Sequence, residues 1–333
     1  MSDVELSRRQ LLAGAVGGGA TVGSGVAVYN VFLGYDRLTG TNLTIQDLDP
    51  LVAEELYPSG ERVATADGYP IEHHDGIVSV RGGDGQIAAF DPVVDAPADA
   101  ASVDDRLGLE DGPLEELVSD LAALETGAVR FVYESYPDFF DRVTGGEPRP
   151  YTVSALRGRR RADPELVETF TGAEPRDPKA VVEGLVDGFR DHTNYDIPRY
   201  VAGSVEDNVI FGVRDLRARF ESPTDFESIL EGEDTGLFCY ELTRRSVEAV
   251  QAVPTTEQTA PVFAGHVNDT RHKHVYTIVA SAVRDGGELV IPVTFLDYTH
   301  STLYDDLRLR RLLGEGLNAY DDRHRATFVG WYR

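Results

Sequence analysis

HVYTIVASAVRDGGELVIPVTFLD, residues 274–297, holds the clearest structural signal in the chain. Two runs rich in β-branched and aromatic residues, 274–283 and 289–296, flank Asp285-Gly286-Gly287-Glu288. Side chains of that kind suit a pleated, half-buried surface, and paired glycines suit the positive φ angles of a tight hairpin turn. With Gly286-Gly287 as a two-residue loop, Asp285 pairs with Glu288, and the same register sets Asp297 opposite Tyr276 and His274 opposite Thr299. Side chains alternate faces along a strand, so His274 and Asp297 become diagonal neighbours on one face. Pro292 conflicts with this register. It falls opposite Ser281 at a ladder position that needs an N–H, and the expected relief is a bulge.

Upstream, residues 237–253 read as a helix in which Leu242, Ser246, Ala249, Val250 and Val253 share a face. Cys239 falls on that face one turn earlier. Asp234 or Thr235 is the expected N-cap, which puts Cys239 in or just beyond the first turn. Unpaired amides and the helix dipole favour negative charge there, lower a thiol's pKa and can serve an oxyanion. A strand is expected over 260–267, with Asn268-Asp269-Thr270-Arg271 turning the chain toward His274. Cys239 is the only cysteine of the 333 residues, so no intramolecular disulfide forms. The pattern sets a thiol, an imidazole and a carboxylate in chain order, as a Cys–His pair with an orienting acid requires. His272 projects from the same side as His274. His274 is preferred because it continues directly into the apolar run. Two other readings stand beside this one: Cys239 as a buried core thiol, and His266, His272, His274 and His300 as a metal site.

Cys239 within Thr-Gly-Leu-Phe-Cys-Tyr-Glu-Leu, His274-Val275-Tyr276 and Asp297-Tyr298-Thr299 resemble, in order and context, the nucleophile, His-Ala-Trp and Asp-Pro-Thr elements of the transglutaminase-like superfamily. The resemblance spans roughly residues 175–300, with Tyr276 where Trp is usual and Tyr298 where Pro is usual. It implies an α+β, papain-like core in which a helix carrying the thiol packs on an antiparallel sheet, joined here to a mixed α/β N-terminal region. It implies a catalytic triad of Cys239, His274 and Asp297 acting on an amide or peptide bond of a protein or peptide substrate, without a cofactor or metal. A catalytically silent binding module on the same scaffold is the alternative.

The rest of the chain divides into residues 1–35, 36–174 and 175–333. Short strands are expected at 77–80 and 86–90, a loop over 92–105, a helix over 114–124, and a second helical run over 129–143 interrupted by Pro137. His73-His74 and the Arg157-Gly158-Arg159-Arg160-Arg161 cluster read as solvated loops. Beyond residue 175, helices are expected around 181–189, 211–220 and 225–230, with a turn at 195–199.

Fifty-seven acidic residues face 31 basic ones, a net charge of −26 with a sequence pI near 4.6. That field repels nucleic acid and anionic lipid, and neither is an expected partner of the soluble part. Only Lys179 and Lys273 are lysines; with abundant Asp and single Met and Trp residues, the composition resembles that of extreme halophiles. In about 1 M salt the Debye length falls to about 3 Å and self-repulsion is screened. At the N-terminus, Ser7-Arg8-Arg9-Gln10-Leu11-Leu12 resembles a twin-arginine export motif, followed by an uncharged stretch from Gln10 to Tyr35. That stretch is long enough to span a bilayer. Gly25-Val26-Ala27 suits a signal peptidase, yet the apolar run continues through Val31-Phe32-Leu33. An uncleaved membrane anchor with the body on the outer face is expected.

Overall fold

The computed structural model describes residues 47–54, 56–58, 62–196, 223–232, 235–269, 274–298 and 326–332, and elements are numbered over these. The export motif and apolar stretch, and the helix expected at 211–220, lie outside the described residues. Among the described residues no helix is long and apolar enough to cross a membrane.

The first half opens with a short helix, α1 (Asp49–Glu54), and a four-stranded antiparallel meander, β1 (Arg62–Ala66), β2 (Tyr69–His74), β3 (Ile77–Gly82) and β4 (Gly85–Phe90), paired in chain order. Asp67-Gly68 and Asp75-Gly76 take positive φ at both positions and close its first two hairpins. His73 and His74 are therefore strand residues, not loop residues. Ile71, Val78 and Val80 point to one face and are fully buried against α2 (Pro97–Leu107) and α3 (Pro113–Glu125). The expected loop over 92–105 is half helix. Its Ala- and Asp-rich composition hid a strong helix former behind a diluted apolar stripe, with Pro97 in the first turn and Gly108 ending the helix at φ 69°.

The expected single helical run over 129–143 splits into two elements. Val129 to Tyr133 forms β5, and Ser135 caps α4 (Tyr136–Gly145), with Pro137 in its first turn. Proline there opens a helix instead of interrupting one. The chain continues through β6 (Glu147–Pro148), α5 (Pro150–Leu156), α6 (Pro164–Thr171), α7 (Pro178–His192), β7 (Thr193–Tyr195), α8 (Phe226–Glu231), β8 (Thr235–Leu237) and α9 (Cys239–Val250). After a 3-10 turn at Thr255–Glu257 come β9 (Phe263–Asp269), β10 (His274–Ala280), β11 (Val283–Asp285), β12 (Glu288–Leu296) and β13 (Phe328–Gly330).

Arg157 is not solvated. It is 4 % exposed, and its Nη1 donates to the carbonyl of Val253 at 2.6 Å.

The hairpin forms in the expected register: Asp285 pairs with Glu288 through Gly286 and Gly287 at φ 59° and 89°, and Thr277 pairs with Leu296. Pro292 does not produce the expected bulge. Ser281 N–H donates to the Pro292 carbonyl at 3.1 Å, the return bond is missing, and the strand lapses at Ser281 and Ala282 before resuming as β11 in unchanged register. Losing one ladder bond costs less than turning every buried side chain of the strand outward.

Seven strands make the central sheet, in the order β13-β9-β10-β12-β11-β6, with β5 running parallel to β12 along its other edge. All its other pairings are antiparallel. β5 and β6 precede residue 175, so the sheet reaches back across the division expected there. One face buries Ala264, Val279 and Leu296 against α4, α6, α7, α8 and α9. The other buries Phe263, Tyr276, Ile278 and Val293 against α1 and α5. The architecture is α+β: mainly antiparallel sheets with helices packed against them.

Candidate active site

The site is assembled where α9 begins. β8 pairs in parallel with β7, Asn194 beside Gly236 and Tyr195 beside Leu237, and this delivers the chain to Phe238 in extended conformation. Phe238 is the N-cap and Cys239 the first helical residue. The cap expected at Asp234 or Thr235 is displaced: Thr235 is a strand residue, and Asp234 lies outside the described residues. Phenylalanine has no side-chain acceptor for the first-turn amides. Glu241 instead reaches back, its Oε2 accepting the Phe238 N–H at 2.7 Å, which is one half of a capping box. Cys239 therefore sits at the positive end of the helix dipole, half-buried and unbridged.

Two polar contacts fix the helix against the strand that carries the histidine. Thr243 Oγ1 donates to the Val275 carbonyl at 3.3 Å, and Ser246 and Thr277 join their hydroxyls. Both lie on the buried face of α9, where polar residues need partners and so specify one docking position.

His274 and Asp297 meet as the hairpin register requires. His274 Nε2 lies 2.9 Å from Asp297 Oδ2, with the two residues 4 % and 5 % exposed. The ring of His274 also stacks on Tyr276, with centroids 5.8 Å apart. Tyr298, next after the aspartate, donates its hydroxyl to the Val182 carbonyl at 3.2 Å and packs on Phe189, which ties the Asp297 turn to α7.

Burial by itself would lower the pKa of His274. The charge and hydrogen bond of Asp297, with a further hydrogen bond to Cys239, outweigh it and push the imidazole up to about 10. Since Nε2 serves Asp297, Nδ1 is the nitrogen left to serve the thiol. All three residues singled out from the sequence thus come together: a thiol on a helix N-terminus, an imidazole beside it, and a carboxylate behind the imidazole.

The metal reading fares differently. His266 pairs in register with Thr277 and packs its ring on Tyr332 at 4.5 Å and Phe328 at 5.7 Å, away from the triad. His272 and His300 lie outside the described residues. Among the described residues no group of three or more His, Cys, Asp or Glu side chains is placed to hold a metal ion.

Sequence reasoning missed Glu241 as the partner of the cap, Thr243 as a seam residue and the anchoring of Tyr298 on α7. Polar residues at inward positions of an amphipathic helix are the signal that would have found Thr243. Comparison of the chain with protein-family models, curated proteins and solved structures finds no match.

Proposed function

We propose that this protein is a transglutaminase-like thiol enzyme that cleaves or transfers at an amide or peptide bond through Cys239, His274 and Asp297. The observation that carries this reading is the 2.9 Å contact between His274 Nε2 and Asp297 Oδ2, which leaves Nδ1 to the thiol. Cys239 as thiolate attacks the carbonyl carbon, and the tetrahedral oxyanion faces the first-turn amides of α9. The C–N bond then breaks as the His274 imidazolium gives its proton to the departing amine, leaving a thioester on Cys239. Water, losing a proton to His274, attacks the thioester and releases an acid with return of the thiolate; an amine in place of water gives transfer. Asp297 holds the ring in position and stabilises its charged form.

The same reading makes the protein an exported one that works outside the cell on protein or peptide substrates, tethered by its N-terminal apolar segment. The twin-arginine-like motif and the acidic composition support this.

The test is the native reactivity of the thiol. In high-salt buffer at neutral pH, iodoacetamide should alkylate Cys239 rapidly, His274→Ala should slow alkylation by about tenfold or more, and Cys239→Ala should abolish labelling and turnover alike. Alkylation only after denaturation would sink the enzyme reading and leave a binding module on a silent scaffold.

A further inference from the structure

The hydrogen bond to Asp297 holds one corner of the His274 ring and by itself leaves the ring able to pivot about that corner. What stops the pivot is a second ring. His274 and Tyr276 stand two residues apart on one face of β10, and their rings stack with centroids 5.8 Å apart and planes 21° from parallel. Tyr276 is buried, and carrying the pairing of Thr277 with Leu296 on by one residue sets it directly opposite Asp297. The base, its acid and this ring therefore share one patch of one sheet face.

Tyr276 is itself held. Phe295 of β12 meets it edge to face, with centroids 6.0 Å apart and planes at 70°, and Phe295 in turn stacks on Tyr133 of β5 at 6.2 Å and 9°. Tyr133 donates its hydroxyl to Asp49 of α1 at 3.0 Å. A row of rings thus runs from the imidazole across three strands to the helix that covers this face. Among the described residues, the ionisable groups facing the imidazole are Asp297 from β12, Cys239 from α9, and Asp269, fully buried directly across from His274 on β9. An aromatic ring adds a negative face without burying one more charge, and it attracts a cation within about 6 Å of its centroid. Both rings are shut off from water, which puts the attraction at the upper end of its range. It favours imidazolium over imidazole, the form that gives its proton to the departing amine.

Resting on the thiol-enzyme reading, we infer that Tyr276 is a positioning residue for His274: its ring sets the imidazole plane so that Nδ1 faces Cys239, and its π face stabilises the imidazolium. The ring acts here and the hydroxyl does not. Phe295 braces that ring from the next strand.

The test follows the protonation of His274 by NMR of the full-length protein in about 1 M KCl, with labelled imidazole carbons and the His274 signal identified by its loss in His274→Gln. Tyr276→Phe should leave the pKa of His274 in place, and Tyr276→Leu should lower it by about one unit. A fall in Tyr276→Phe as large as that in Tyr276→Leu overturns the role of the ring in favour of the hydroxyl. Leucine also leaves a cavity, so the decisive series keeps the ring and weakens its negative face. Phenylalanine bearing one, two and three ring fluorines at position 276 should lower the pKa step by step. A flat fluorine series overturns the assignment; if iodoacetamide still alkylates native Cys239 rapidly, the thiol enzyme stands. A stepwise fall in a protein whose native thiol is inert upholds the contact between ring and imidazolium and ends the enzyme reading.

Discussion

At the scale of single residues, the decisive balance is the one acting on His274. Burial disfavours its charge, and Asp297 more than restores it. Because the folded-state pKa stands above the ordinary 6.5, proton binding favours the folded state. That contribution is complete below about 6.5 and drains away as pH rises through about 10. Asp297→Asn removes the restoring charge and leaves burial to hold the ring neutral. Thermal denaturation should therefore show the variant less stable than the wild type at neutral pH, with the gap closing as pH passes about 10. Turnover should follow the same residue. The wild-type alkaline limb, where the imidazolium needed by the leaving amine is lost, should move to lower pH in the variant. A stability gap that ignores pH would show that Asp297 acts only as a packing group.

Among the elements, what positions the triad is how closely helices approach one another and the sheet. Gly184 and Gly188 sit four apart on one face of α7, where the last turn of α6 crosses. A Cβ at Gly184 would run into the Thr171 carbonyl, and one at Gly188 would lie 2.5 Å from the Phe170 carbonyl. Alanine is the better helix former by about 1 kcal/mol, yet here it forces two backbones apart, at a cost of about 1–3 kcal/mol. Gly188→Ala should thus lower stability in urea unfolding. Because α7 also holds Tyr298 through the Val182 carbonyl, it should slow alkylation of Cys239 too. A neutral or stabilising Gly188→Ala would mean that α6 and α7 yield at no cost and that this contact does not position the site.

Across the whole molecule, the four-stranded half and the seven-stranded sheet are joined by a buried carboxylate. Asp120 on α3 is fully buried and accepts from Arg149 Nε at 2.8 Å, Thr152 Oγ1 at 2.7 Å, and Arg284 Nε at 2.8 Å, with Arg284 Nη2 closing a two-pronged contact. Arg284 belongs to β11 and Arg149 leads into α5, so one side chain ties together elements from three parts of the chain. Asp120→Ala leaves two mostly buried guanidinium groups without their acceptor. It should cost about 3–5 kcal/mol, read as a lower urea midpoint. A loss below about 1 kcal/mol, the level of an exposed pair, would mean that apolar packing and the remaining polar contacts, Thr152 N–H to Glu116 and Ser154 to the Val63 carbonyl, join the two halves without help from Asp120.

The sequence by itself determined what rests on local chemistry: the Gly-Gly hairpin and its register, the helix that presents Cys239, and from these the neighbourhood of His274 and Asp297. Paired positive-φ glycines and strict strand alternation leave little freedom, so a short-range rule reached across 23 residues. Only tertiary structure decided the rest. It put Val129 to Tyr133 beside β12 as a parallel strand, seated Arg157 in the interior, made Phe238 the cap of α9 in place of the expected Asp234 or Thr235, and let Pro292 stay in register at the loss of one bond. Each of these is settled by contacts between residues far apart in the chain, where burial and hydrogen-bond satisfaction over many residues outweigh the preference of any one of them.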